Sequence, residues 1–68
     1  MTTNNIYTAF QCIVYLADGK HVSQVEDCAT ALEAIERAAK WRDLGHIARA
    51  YHTVANTRTL ELHHFPLD

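Results

Sequence analysis

The stretch TALEAIERAAKWRDLG, residues 30–45, decides the fold. Thr30 and Glu33 make a capping box, in which the Thr30 hydroxyl accepts from the Glu33 amide while the Glu33 side chain reaches back. The run behind it is rich in Ala, Leu and Glu, all strong helix formers. Glu33 and Glu36 come early and Arg37, Lys40 and Arg42 late, which complements the helix dipole. The Glu33–Arg37 and Glu36–Lys40 spacings are favourable i,i+4 pairs. Gly45 suits the left-handed position just past a helix end. A helix from Thr30 to about Leu44 is expected, with an apolar stripe of Ala31, Leu32, Ile35, Ala38, Ala39 and Trp41. One such helix covers one face of a small sheet.

Upstream, Ile6 to Ala17 is β-branched and aromatic, after a polar run from Met1 to Asn5. Alternation puts Phe10, Cys12, Val14 and Leu16 on a core face, and Gln11, Ile13 and Tyr15 on the other. Asp18-Gly19 signals a hairpin, because glycine takes the positive φ of the turn without strain. Lys20 to Glu26 then returns as a second strand. Val22 and Val25 break its alternation, which predicts either a bulge or an early exit from the sheet.

Downstream, two strands are expected, roughly His46–Val54 and Thr59–Phe65, with Pro66 ending the second. In the third strand an unpaired Arg49 is too costly to bury, so Ala48, Ala50, His52 and Val54 face the helix. In the fourth, Leu60 and Leu62 read as the core face, with Glu61, His63 and Phe65 outward. That match requires an odd number of loop residues around Asn56 and Thr57, since a one-residue slip exchanges the two faces of a strand. Ile35 and Leu32 are then expected to pack on Phe10, Val14 and Leu62. The fold class is α+β: a ββαββ antiparallel sheet with one helix packed on one face, in a single domain spanning residues 1–68. The order of strands stays open.

Composition bounds the rest. A chain of 68 residues buries only about 60% of its unfolded surface, and one core of that size supplies about 3–5 kcal/mol. The 49% hydrophobic content excludes a disordered chain. A net charge of −2 disfavours electrostatically driven binding to nucleic acid or to an anionic membrane. Cys12 and Cys28 make no disulfide framework and read as small apolar residues in a reducing compartment, with a single bridge between them left open. There is no apolar run of roughly 18 residues and no basic-then-apolar start. A soluble, cytoplasmic protein without a signal peptide is expected.

No catalytic motif stands out. A metal site needs three or four converging ligands. Among His21, His46, His52, His63 and His64, the adjacent His63 and His64 point to opposite faces. Only His52 and His64 approach each other, across the last hairpin. No metal and no cofactor are expected. Cys28 sits near the helix start, a place that can lower a thiol pKa, but one helix on a small sheet seldom encloses a pocket. Gly19 and Gly45 are the only glycines, which excludes a Gly-rich phosphate loop. The chain is expected not to be an enzyme.

The sheet face away from the helix is the strongest candidate surface. Tyr15, Ile13, Arg49, Tyr51, His63 and Phe65 are expected there as partner-binding residues, with Ile47 and Glu61 beside them. Tyr and Arg dominate protein–protein hot spots. The same aromatics and Arg49 would also serve a nucleic-acid-binding module, and a second copy of the chain is another occupant of the face.

Two resemblances agree with a binding role. Phe10 to Ala39 has a strand, the Asp18-Gly19 turn, a second strand, and the pattern Thr30-x-x-Glu33-Ala34-Ile35-x-x-Ala38. This run resembles the N-terminal half of HicB-type antitoxins. No toxin-binding residue is carried over, because the Pro-Gly segment before their helix is absent here. The whole chain, in size and build, is similar to phage-encoded anti-CRISPR inhibitors. Both resemblances imply a non-enzymatic protein of phage or mobile-element type that occupies a larger protein or ribonucleoprotein, with a CRISPR effector complex as a candidate and the host cytoplasm as its location.

Overall fold

The computed structural model describes residues 5–68. Strands β1 (Ile6–Tyr15), β2 (Val22–Cys28), β3 (Ile47–Asn56) and β4 (Glu61–Pro66) form one antiparallel sheet, and helix α1 (Ala31–Asp43) lies on one face of it. The strand order is β2-β1-β3-β4. Two hairpins are thus laid side by side through their first strands, and α1 carries the chain from the outer strand β2 across β1 into β3.

The helix ends are built as the sequence indicates. Thr30 Oγ1 accepts from the Glu33 amide at 3.1 Å, and Glu33 reaches back to the Ala29 amide at 3.2 Å. At the other end the Gly45 amide donates to Arg42 O and the His46 amide to Trp41 O, with Gly45 at φ 91°. This double bond pattern needs a left-handed residue after Leu44.

The side chains buried between the helix and the sheet are small. Cys12 and Val14 of β1, Ala34 and Ala38 of α1, and Ala48 and Ala50 of β3 form the core, with Phe10, Cys28, Ile35, Trp41 and Leu67 packed around it. Alanine against alanine brings α1 close to the sheet. The helix rests on Ala34 and Ala38, and at 3.6 residues per turn Leu32 then lies about 160° away from Ala34. Leu32 is accordingly 63% exposed, contrary to its expected place in the core. Ile35 keeps its place at the flank.

Arg49 decided the face of β3 correctly: Ala48 and Ala50 are buried under α1 and Arg49 is outside. The face of β4 is the reverse of the expectation. Asn56 pairs with Glu61, so the connecting loop has four residues, Thr57 to Leu60, an even number. Asn56 organises it: its Oδ1 accepts from the Arg58 and Thr59 amides, and its carbonyl accepts from the Leu60 amide. Leu60 is therefore a turn residue, 86% exposed, and Leu62 lies on the open face. Glu61, His63 and Phe65 project on the helix side, where Phe65 pairs with His52. The expected bulge in β2 is present, where Ser23 is skipped between the Gln24–Val14 and Val22–Tyr15 pairs. Leu16 lies beyond β1 and is exposed.

Leu60 sits at φ 63°, a conformation that costs a residue with a Cβ roughly 1–2 kcal/mol. Leu60→Gly removes that strain and adds about 0.4–1 kcal/mol of unfolded-state freedom. A net stabilisation of about 0.5 kcal/mol is expected, read as a higher urea midpoint. A lower midpoint would show that the side chain is held by contacts rather than tolerated.

Candidate interaction face

The face opposite α1 is laid out in transverse rows by the strand registers. Val25, Ile13 and Arg49 make one row, Asp27, Gln11 and Tyr51 the next, and Ala9, Thr53 and His64 the third. Four of the expected binding residues, Tyr15, Ile13, Arg49 and Tyr51, are together here. His63 and Phe65 are not among them: the reversed β4 places them on the helix side, where their rings stack at 6.1 Å.

Ile13 is only 5% exposed although no helix covers it. Val25 and Arg49 flank it in register, and Tyr15 and Tyr51 stand over the adjoining rows. The two tyrosine hydroxyls bond each other at 2.9 Å. Burial, then the bond to Tyr51, pushes the Tyr15 hydroxyl up to about 12, against the opposing charge of Arg49. The Tyr15 hydroxyl is thus a neutral donor or acceptor at any physiological pH. Their rings are half-buried, and Arg49 is exposed.

Behind this cluster a hydrogen-bond chain crosses all four strands. Gln11 Nε2 donates to Asp27 Oδ1 at 2.9 Å, Thr53 Oγ1 donates to Gln11 Oε1 at 2.8 Å, and Thr53 Oγ1 meets His64 Nδ1 at 2.8 Å. Its direction follows from Asp27. A carboxylate only accepts, so it takes the Gln11 amide NH₂ and leaves the Gln11 carbonyl to Thr53. The single Thr53 hydroxyl proton goes to that carbonyl, and His64 Nδ1 carries a proton to donate to Thr53. The His64 ring also meets Tyr51 edge-on at 5.7 Å. Thr53 is buried and fully satisfied by these bonds. The relay holds the strands, and thus the Tyr15–Arg49–Tyr51 cluster, in one register.

The sequence reading puts Gln11 on this face but not its bonds, has no role for Asp27 or Thr53, and sets His64 beside His52 instead. Parity with Arg49 and Tyr51 already puts Thr53 on this face, but His64 joins it only because the last loop is even.

The other chemical candidates are dispersed. His52 and His64 lie on opposite faces, and Phe10 stacks on His52 at 4.9 Å. Among the described residues no group of three or more His, Cys, Asp or Glu is placed to hold a metal ion. Cys12 and Cys28 are unbridged. Burial, with help from Glu26, pushes the Cys12 thiol up to about 11. The Cys28 thiol is also raised, by burial and then by Glu33, rather than lowered by the nearby helix start. Neither is an activated nucleophile. No helix among the described residues is long and apolar enough to cross a membrane. Comparison with protein families, curated proteins and solved structures gives no match.

Proposed function

We propose that this chain is a non-enzymatic binding protein that inhibits a larger protein machine by occupying its surface through the open sheet face. The observation that carries the reading is the Tyr15–Tyr51–Arg49 cluster over a dry Ile13 on a face that α1 leaves bare. Aromatic rings beside an exposed guanidinium, on a rigid sheet, are the composition of an interface hot spot. The mode of action is that of phage-encoded inhibitors and antitoxins, and a CRISPR effector complex is one machine of suitable kind. A nucleic-acid partner fits less well. Arg49 is the one cation of the central rows, Asp27 lies in the adjoining row, and the net charge is −2.

The test is capture from host lysate with and without nuclease, followed by titration of the captured partner at two salt concentrations. Arg49→Ala and Tyr51→Ala are each expected to weaken binding by more than about 1 kcal/mol, with the domain still folded. A protein complex centred on the tyrosines loses little affinity on raising salt. A complex with several phosphate contacts loses orders of magnitude between roughly 50 and 200 mM. Full binding by the double variant, or capture that vanishes with nuclease, overturns the reading.

A further inference from the structure

A second surface lies on the other side of the sheet, between α1 and the outer edge of β2. Its backbone follows from one bond. The Leu67 amide donates to Ala50 O at 2.9 Å, so the polar groups of Ala50 turn toward β4 and those of its neighbours Arg49 and Tyr51 toward β1. Their partners Ile13 and Gln11 then serve β3, and Cys12 and Val14 serve β2. In β2 this engages Gln24 and Glu26, opposite Val14 and Cys12. The N–H and C=O groups of Val25 and Asp27 are left pointing out from the sheet. Such an edge accepts another strand. The edge of β4 is blunted, because the same alternation turns the nitrogen of Pro66 outward, where it has no hydrogen to donate.

Beside the open edge, on the helix side, is a crevice of about 340 Å³ lined by Glu26, Arg37, Lys40, Trp41 and Leu44. It exists because α1 packs over β1 and β3 and leaves β2 at its flank. The Glu26 carboxylate is already satisfied, by Trp41 Nε1 at 2.6 Å and Arg37 at 3.1 Å. Trp41 and the exposed Leu44 form an apolar wall. Lys40 stands at the rim and makes no ion pair among the described residues.

We propose that an extended acidic peptide segment of another protein adds to β2 as a further strand. Alternate residues of an added strand fall on the helix side. One places an apolar side chain against Trp41 and Leu44, and the residue two along places a carboxylate at Lys40. The outward groups of Val25 and Asp27 supply the backbone bonds. The site uses the backbone edge of β2 and the helix-side crevice, and none of Tyr15, Arg49 and Tyr51.

The probe is a capped heptapeptide carrying a leucine and a glutamate two residues apart among valines and threonines. Trp41 is the only tryptophan, so its fluorescence reports the crevice, and amide exchange at Val25 and Asp27 reports the edge. The peptide is expected to shift the Trp41 emission and to slow exchange at both amides. Lys40→Glu, or lysine in place of the peptide's glutamate, is expected to weaken binding roughly tenfold or more. N-methylation of the peptide backbone abolishes binding with the protein itself unaltered. Arg49→Ala and Tyr51→Ala leave this binding unchanged, which separates it from the open-face reading. No binding at millimolar peptide, equal binding of the lysine peptide, or unchanged exchange at Val25 and Asp27 overturns the proposal. So does protection of these amides that grows with protein concentration alone, which assigns the edge to a second copy of the chain.

Discussion

Ala38→Leu is expected to leave much of the chain unfolded at room temperature. Ala38 and Ala34 on the helix, and Ala48 and Ala50 on the sheet, are all buried, and they face one another across the single interface that holds α1. A leucine there must displace the residues packed around Ala38. Overpacking of a tight core costs about 1–3 kcal/mol and sometimes more, and where both surfaces are rigid the upper end applies. A domain of this size has about 3–5 kcal/mol in total, so one side chain removes most of it. Ile35→Ala, at the flank of the same core, is expected to cost about 2 kcal/mol, the low end for such a truncation. Leu32→Ala, on the exposed side, should stay within about 0.5 kcal/mol. Urea unfolding of the three variants orders them. Equal midpoints for Ala38→Leu and Leu32→Ala would show that the helix does not rest on its alanines.

That ordering differs from what the apolar stripe alone suggests, and the reason is instructive. Thr30, Glu33 and Gly45 fix the two helix ends through local bonds, so the helix is legible from its own residues. Arg49 fixes the face of β3 because burying its charge is too expensive. Which side of the helix goes down is not local. It depends on how small the opposing residues are, and Ala48 and Ala50 draw Ala34 and Ala38 down in preference to Leu32. The face of β4 depends on loop parity alone. Asn56 holds a four-residue loop with its side chain, and Leu60 accepts a left-handed conformation that leucine ordinarily avoids. The candidate face inherits this split. Tyr15, Ile13, Arg49 and Tyr51 were readable because they lie on strands whose faces were fixed. His63 and Phe65 were misplaced, and His64 missed, because all three lie beyond the loop. Strand order, and with it the open edge of β2, follows from how α1 crosses the sheet, which no local pattern encodes.

The second large effect is expected at Asp68, where the chain after β4 is tied back beneath the helix end. Its carboxylate accepts from the Ala50 amide at 3.0 Å and from Arg42 at 2.7 Å, and Arg42 also donates to Ala48 O at 2.9 Å. The Asp68 side chain is only 14% exposed. Asp68→Ala leaves the amide of the fully buried Ala50 without its acceptor, a loss of about 1–3 kcal/mol. At about 4–8 °C per kcal/mol for a domain this small, the melting temperature should fall by roughly 10 °C. The acid limb supplies an independent check. Burial by itself would raise the Asp68 pKa, but the hydrogen bonds from Arg42 and Ala50 and the Arg42 charge outweigh it and hold the group below its ordinary value. A carboxyl depressed in the folded state contributes stability that is fully present above its unfolded pKa of about 3.9, and this is lost as pH falls through the folded value. Asp18, held down by His21 and by the amides of Lys20 and His21, acts in the same direction from an exposed turn. The wild-type chain should therefore lose stability as pH drops below about 4, and Asp68→Ala, already missing the bond, should lose less over the same interval. Identical acid limbs for the two proteins would show that the Asp68 carboxylate does not hold the tail against β3.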